Sequence, residues 1–446
     1  MMRDFRSLYK KLEDEKRILH IKKPVRWKHE APALLKKTRG EMPVCFDAVE
    51  GYTVPLAAGF GGTRQLLAES MSIRPEELAA HLAGAIVSPI PVHTVTRPPV
   101  QENVVTAPFD LSQYFPILQY NEQDSGQYLV SGVMTARDVS GQKLYTSIRR
   151  MQYLGGNRFT ILITSHEMKR QFEYYERNRQ PMDIAVMFGV VPAVILASQI
   201  STHLYDINKL DVTGALLGES LPVTRCKTVD VDVLAEAEVV LEGRVKPWMK
   251  HTEGPFGEMA GYYGQVADLP VVELTAVTFR NNPIFQTVHP SGSEEKLPMA
   301  LNREVVLLNT IRQTVPNVKQ VHITPGGAGR YHAVVQIRKT LSSDGRQTAL
   351  AAFAADKDLK HVVVVDEDVD IFNPEEVEWA VATRMQADRD IFIVGGAGGS
   401  PLEPSHNLTG TSAKMGLDAT APVGDPHFER TRIPGEENVR LEDYME

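Results

Sequence analysis

From about Gln127 to Arg280 the chain keeps returning to short, β-branched, half-alternating runs, and beyond Pro316 it changes to apolar strands separated by helix-forming stretches. That switch constrains the fold more than any other feature. Alternation with period two requires a sheet with two different faces, whereas runs such as "HVVVVDEDVDIF" suit strands covered on both. At 446 residues the chain also exceeds one ordinary core. The reading is α+β: a strand-rich barrel or sandwich carrying inserted helices, followed by a separate α/β domain. "YLVSGVMTARD", "KLYTSIRRMQYL" and "NRFTILIT" suggest an antiparallel meander, and "PVTRCKTVDVDV", "EAEVVLEGRV" and "LPVVELTAVTFR" read as long strands. Gly292–Pro316 reads as a long helix linking the two parts. Asn373 and Pro374 mark the start of another helix, over "NPEEVEWAVATRM".

Composition removes several functional classes. With 43% hydrophobic and 23% charged residues the chain is globular. A net charge of -8 argues against a nucleic-acid partner. Two cysteines, Cys45 and Cys226, give neither a disulfide framework nor a CxxC metal pair. The charged, helix-like start and the short apolar run "VVPAVILASQI" point to neither a signal peptide nor a membrane span, so a cytoplasmic enzyme is expected.

The segment "HTEGPFGEMAGYYG" holds Glu253 and Glu258 on a stiff, glycine-punctuated loop bordered by aromatics and Met259. Two carboxylates in different surroundings make an acid/base pair; in an ordinary tight turn they would cap backbone amides instead. Arg149 and Arg150 in "TSIRRM" read as strand residues pointing to opposite faces, so one of them can meet a carboxylate or phosphate. An exposed pair is the alternative. His166 at a helix start capped by Ser165, and Glu219 in "LLGES", can share a divalent cation, although a lone histidine is more often a structural hydrogen-bonding residue. The glycine clusters "TPGGAGR" and "VGGAGGSP" match no nucleotide-binding pattern. Lys414 in "TGTSAKMG" has small neighbours that let a phosphate approach, or is an exposed lysine.

In order along the chain, "SIRRM", "GALLGESLPV", "EGPFGEMAGYYG", "VVVVDEDVDIFNPEEVEWAVATR" and "GTSAKMGLDAT" resemble the UbiD family of reversible decarboxylases. The resemblance runs from about Asp110 to Asp418. It implies prenylated FMN, made by a partner flavin prenyltransferase, and interconversion of an unsaturated, aromatic or heteroaromatic carboxylic acid with its decarboxylated product and CO2. It also implies a split-barrel-like flavin-binding domain over residues 1–291 (N-terminal segment to about 105, core 106–291). A connecting helix over 292–316 and a C-terminal α/β oligomerisation domain over 317–446 follow, with a homodimer or homohexamer as the assembly. Carried over residue by residue, Glu258 is the proton donor, and Arg150 orients the carboxylate and keeps Glu253 ionised. Ser147, Ile148, Arg149, Ser165 and Lys414 join Arg150 around the cofactor. His166 and Glu219 are its metal ligands, for Mn2+ or Mg2+, with K+ near Ala197–Ser201. Many relatives have an asparagine ligand where this chain has Tyr145, so a backbone or water oxygen would substitute, or the metal has one ligand fewer. His289, Lys296, Arg303 and Met259 are the substrate candidates. The short chain resembles the branch acting on 2,5-furandicarboxylate, with pyrrole-2-carboxylate or another aromatic acid as alternatives. A non-catalytic cofactor-binding subunit and a metal hydrolase are further readings.

Overall fold

The computed structural model describes residues 2–445 other than 164, 202–204, 407–409 and 436–437; of residues 166, 167, 441 and 442 only the backbone is described. The chain divides into two compact units. The first comprises Met1–Val306, Ile323–Arg330 and Ser400–His406, and the second Leu307–His322, Tyr331–Gly399 and Asn407–Glu446. The dividing line falls inside the long helix Ser293–Arg312.

The first unit is organised by a seven-stranded antiparallel sheet, in the order Arg158–Thr160, Ala267–Phe279, Val239–Glu253, Met182–Phe188, Val133–Arg137, Leu144–Ile148, with Asn103–Thr106 also pairing to Ala267–Phe279. Both faces of its centre are covered. In Met182–Phe188, Ile184, Val186 and Phe188 enter one apolar cluster with Phe115, Phe159 and Phe285. The alternate residues Ala185 and Met187 enter another, built from the helices Pro192–Ser198 and Lys209–Leu217 and from Leu78 and Leu82. Period two therefore persists although the strand reads as one apolar run. A four-stranded sheet of Leu19–Ile21, Val44–Phe46, Leu56–Ala58 and Phe285–Gln286 ties the N-terminal segment to the strand that leaves the barrel.

The second unit contains a five-stranded sheet ordered Val318–Ile323, His332–Ile337, His361–Asp366, Thr411–Ala419, Ile391–Gly398. Its core holds Val334, Val363, Val365, Ile371 and Ala380. The helix Pro374–Arg384 starts as expected: Asn373 accepts a hydrogen bond from the Glu375 amide at 3.0 Å, and Pro374 needs no amide partner at the first position.

Local expectations fail in informative places. "PVTRCKTVDVDV" is two short antiparallel strands, Pro222–Arg225 and Asp232–Leu234, joined to His93–Thr94 inside the supposed connector. Two backbone amides in the intervening turn, those of Lys227 and Thr228, donate to the buried Glu242 carboxylate, so the turn is built on an acid distant in sequence. Arg149 and Arg150 follow the strand Leu144–Ile148 rather than lying within it. Glu253 is the last residue of the strand Val239–Glu253, not a loop residue.

Candidate active site

Where the strand Val239–Glu253 ends, the chain folds over itself. Gly254 adopts φ +97°, and a Cβ there would stand 3.2 Å from the Gln265 carbonyl, so glycine suits the corner. The loop closes through Gly264 N donating to Phe256 O (2.9 Å) and Glu258 N donating to Tyr262 O (2.8 Å). A second loop clamps it: Asp124, itself buried, accepts from the amides of Gly257 (2.9 Å) and Asn121 (2.7 Å), and the Ser125 amide donates to Pro255 O at 3.0 Å. Neither Asp124 nor Ser125 was singled out in the sequence; the Asn-Glu-Gln-Asp-Ser-Gly turn composition around them was the available signal.

Arg150 joins both acids. Its Nη2 donates to Glu253 Oε2 at 3.1 Å, its Nε stands 3.1 Å from Oε1, and its Nη1 makes a short contact with Glu258. The guanidinium also lies over the Phe256 ring, 4.7 Å from the centroid, and that ring packs on Tyr128 at 4.5 Å. Burial disfavours the Arg150 charge, but Glu258 and Glu253 outweigh it and raise its pKa. The acids differ in access: the Glu258 side chain keeps 18% of its surface against 2% for Glu253. Gly264 leaves the space that Glu258 occupies, since a Cβ there would fall 2.6 Å from Oε1.

A third carboxylate approaches the pair. Burial raises the pKa of Glu295, the Ser291 amide opposes that at 2.5 Å, and the charge of Glu258 raises it further. Sequence reasoning passed it over because it reads as an ordinary first-turn helix acid. His289 has a buried Nδ1 without a hydrogen bond, and burial pulls its pKa down to about 4, with Lys36 and Lys296 adding to the effect. His289 is therefore neutral near pH 7 and offers a hydrogen bond rather than the positive charge expected of it. Lys296 is half-buried with its pKa lowered by desolvation, and Arg303 follows seven residues later on the same helix face. Met259 is buried in the acid loop.

Around Arg149 the chain carries donors suited to an anion. Arg149 Nη2 donates to Ser165 Oγ at 3.0 Å, and burial alone draws its pKa down to about 10. Ser165 thus precedes the helix His166–Arg177, but its hydroxyl accepts from Arg149 and caps no helix amide. Ser147 Oγ is buried without a hydrogen-bond partner, and the next strand residue, Ile148, packs on the other face against the helical cluster. Tyr145 faces the opposite, barrel-side cluster. The proposed metal pair is represented by Glu219 alone, because the His166 imidazole lies outside the described side chains. Glu219 Oε1 makes no hydrogen bond, and the largely exposed Arg3 stands 3.1 Å away.

Two expectations do not fit. Lys414 is buried, not exposed, and its Nζ donates to the carbonyls of Lys357 (2.8 Å) and Leu359 (2.5 Å) within the second unit, so its ammonium is already committed. The Ser198 carbonyl, in the segment assigned to potassium, accepts from the buried ammonium of Lys209 at 2.8 Å; a second cation there would face direct repulsion.

Fold and site together define an α+β protein with a largely buried arginine side chain clasped by two long-range carboxylates. The chain matches the UbiD N-terminal domain over residues 9–86, the 3-octaprenyl-4-hydroxybenzoate carboxy-lyase Rift-related domain over 93–293 and the corresponding C-terminal domain over 296–419. It belongs to the UbiD family of carboxy-lyases. It is 34% identical over 402 residues to the anhydromevalonate phosphate decarboxylase of Methanothermobacter thermautotrophicus, covering 90% of this chain and 93% of that one. Among solved structures it resembles the UbiD-class enzyme HmfF from Pelotomaculum thermopropionicum in complex with FMN (43% identity, TM-score 0.96, 99% and 100% of the two chains). An evolved dimeric form of that enzyme with prFMN matches at 40% identity and TM-score 0.91, again over 99% and 100%. Among the described residues, no helix is long and apolar enough to cross a membrane.

Proposed function

We propose that this protein reversibly decarboxylates an unsaturated or heteroaromatic carboxylic acid with prenylated FMN bound, the leading substrate being 2,5-furandicarboxylate, converted to 2-furoate and CO2. The observation that carries the reading is Arg150 joined to Glu253 and Glu258, three groups brought together over more than a hundred residues. Arg150 orients the substrate carboxylate by its planar fork and pairs with Glu253. The carbon–carboxylate bond breaks with its electron pair left on carbon, CO2 departs, and Glu258, the more accessible acid, delivers the replacing proton. The flavin, when bound, supplies the electron sink that makes this cleavage accessible. Ser147, Ile148 and Arg149 would line it, since an unspent hydroxyl and a desolvated guanidinium fit an anionic, hydrogen-bonding group. Glu219 would give a carboxylate to Mn2+ or Mg2+ in exchange for Arg3, with His166 as its partner. Neither potassium nor Lys414 enters this reading.

His289, Lys296 and Arg303 support a substrate with a second anionic group. The relatives named for anhydromevalonate phosphate favour a second reading on the same residues, in which that group is a phosphate on an unsaturated acid. The test is coexpression with a flavin prenyltransferase, anaerobic purification, and CO2 release from furandicarboxylate, pyrrole-2-carboxylate and anhydromevalonate phosphate. Turnover of furandicarboxylate above the others supports the leading reading, and preference for the phosphate replaces it. No CO2 from any acid with cofactor bound favours the non-catalytic subunit.

A further inference from the structure

Away from Arg150, the N-terminal sheet gathers a set of side chains that decarboxylation does not use. The parallel strands Leu19–Ile21 and Val44–Phe46 pair His20 with Cys45, which puts both side chains on one face of the sheet. The helix Phe5–Asp14 covers that face, with Tyr9 packing into the apolar cluster that contains Cys45. Glu13, one turn beyond Tyr9, places its carboxylate 2.7 Å from His20 Nε2, and Asp47 places its own 2.7 Å from His20 Nδ1. One ligand atom from each of His20, Cys45 and Asp47 lies within 4.8 Å of the others.

We propose that His20, Cys45 and Asp47 form a binding site for a borderline-soft divalent ion of the zinc class, with Glu13 orienting the histidine. The donor set is one nitrogen, one sulfur and one carboxylate oxygen, the mixture that zinc accepts in tetrahedral sites. Zinc ligands at about 2.0–2.3 Å stand roughly 3.3–3.8 Å from one another, so the cluster needs only side-chain adjustment. Asp47 is exposed and free to adjust, while Cys45 is fixed on its strand and 2% exposed. Nδ1, on the Asp47 side, becomes the ligand. Nε2–H keeps its bond to Glu13, which gives the carboxylate–histidine–metal arrangement that fixes ring orientation and tautomer. Binding releases the Cys45 thiol proton, because the thiolate and not the thiol is the ligand. Water completes the fourth position from the exposed side. The site pins the first helix to the first two strands and is independent of the reaction assigned above.

The test uses Co2+ as probe on the full-length, cofactor-loaded protein, because a sulfur ligand gives Co2+ a thiolate charge-transfer absorption that a histidine–carboxylate site lacks. The expected result is that band saturating at one equivalent, retained in Cys226→Ser, lost in Cys45→Ser and discharged by added Zn2+. Asp47→Ala, an exposed position that leaves the fold intact, weakens Co2+ binding tenfold or more. Glu13→Gln weakens it by about 10–100-fold, as for other orienting carboxylates. The proposal is overturned if the parent protein shows no thiolate band, if the band survives Cys45→Ser, or if Asp47→Ala binds Co2+ as tightly as the parent.

Discussion

Two arginines, one in each unit, are set in nearly the same chemistry. Arg150 lies over Phe256 and between Glu253 and Glu258; Arg384 lies over Trp379, 4.8 Å from the ring, and between Asp366 (2.6 Å) and Asp368 (2.7 Å). Their supports differ. Asp366, Asp368, Glu376, Trp379 and Arg384 fall within nineteen residues of chain, Asp366 also accepts the Ala421 amide at 2.8 Å, and Arg430 also stacks on Trp379, 4.3 Å from the ring, while pairing with Glu376. Every charged group in that cluster is spent on another part of it. At Arg150 the acids come from a strand end and a glycine-built turn, so Glu253 is fixed by the sheet while the Glu258 backbone belongs to a loop. A proton can be exchanged at Glu258 without dismantling a core. Composition does not separate a rivet from a reactive centre; the independence of the supports does.

The sharpest way to break this comparison is to remove one member from each cluster. Glu258→Gln should lower decarboxylation by about 10²–10⁴-fold, the usual worth of a positioned acid, with little change in Tm. Arg384→Ala should do the reverse, costing about 1–3 kcal/mol in denaturant unfolding because the buried guanidinium leaves its packing on Trp379 and its bonds to the half-buried Asp366 and the exposed Asp368, while turnover per folded molecule persists. Equal activity losses without destabilisation would abolish the distinction.

Gly264→Ala tests whether the loop itself sets the geometry. The new Cβ meets Glu258 Oε1, and kcat should fall by about 10²-fold as the acid is displaced, with cofactor content unchanged. An unaffected kcat would show that Glu258 has room to relax.

Acid separates the two regions further. The folded-state pKa of His289 lies at about 4, below its ordinary 6.5, so the unfolded chain takes up the proton first and stability falls as pH drops from 6.5 towards 4. At about pH 5 this amounts to about 2 kcal/mol, and His289→Gln should flatten the slope of unfolding free energy against pH. Asp368 acts in the same direction at lower pH: its bond to Arg384 holds the pKa below the ordinary 3.8, so its contribution is full above that value and is lost only as the pH falls further. The smallest effect is expected at the helix that carries Arg384, where Asn373→Ala removes one cap and costs about 1 kcal/mol by thermal unfolding.

Much of this was legible in the sequence because it is local. Period-two patterning announced the barrel strands, the Asn-Pro pair announced a helix start, and the order of short motifs announced the family. Errors appeared where distant groups decide. The strand read through Pro222–Val233 breaks at a turn fastened to Glu242, and Lys414, read as reaching a cofactor phosphate, is buried with its ammonium received by the carbonyls of Lys357 and Leu359. Asp124 and Glu295 carried no pattern of their own, since a loop acid and a helix-start acid look alike wherever they end up.

By itself, then, the sequence determined the α+β organisation and the presence of "EGPFGE", because strand and turn chemistry depend on neighbours a few residues apart. Only the tertiary structure decided that Arg150 stands between Glu253 and Glu258, that His289 is neutral, and that Lys414 and Lys209 are already committed. Those outcomes depend on burial and on contacts between groups from 11 to 108 residues apart, and desolvation and Coulomb energy act through space rather than along the chain.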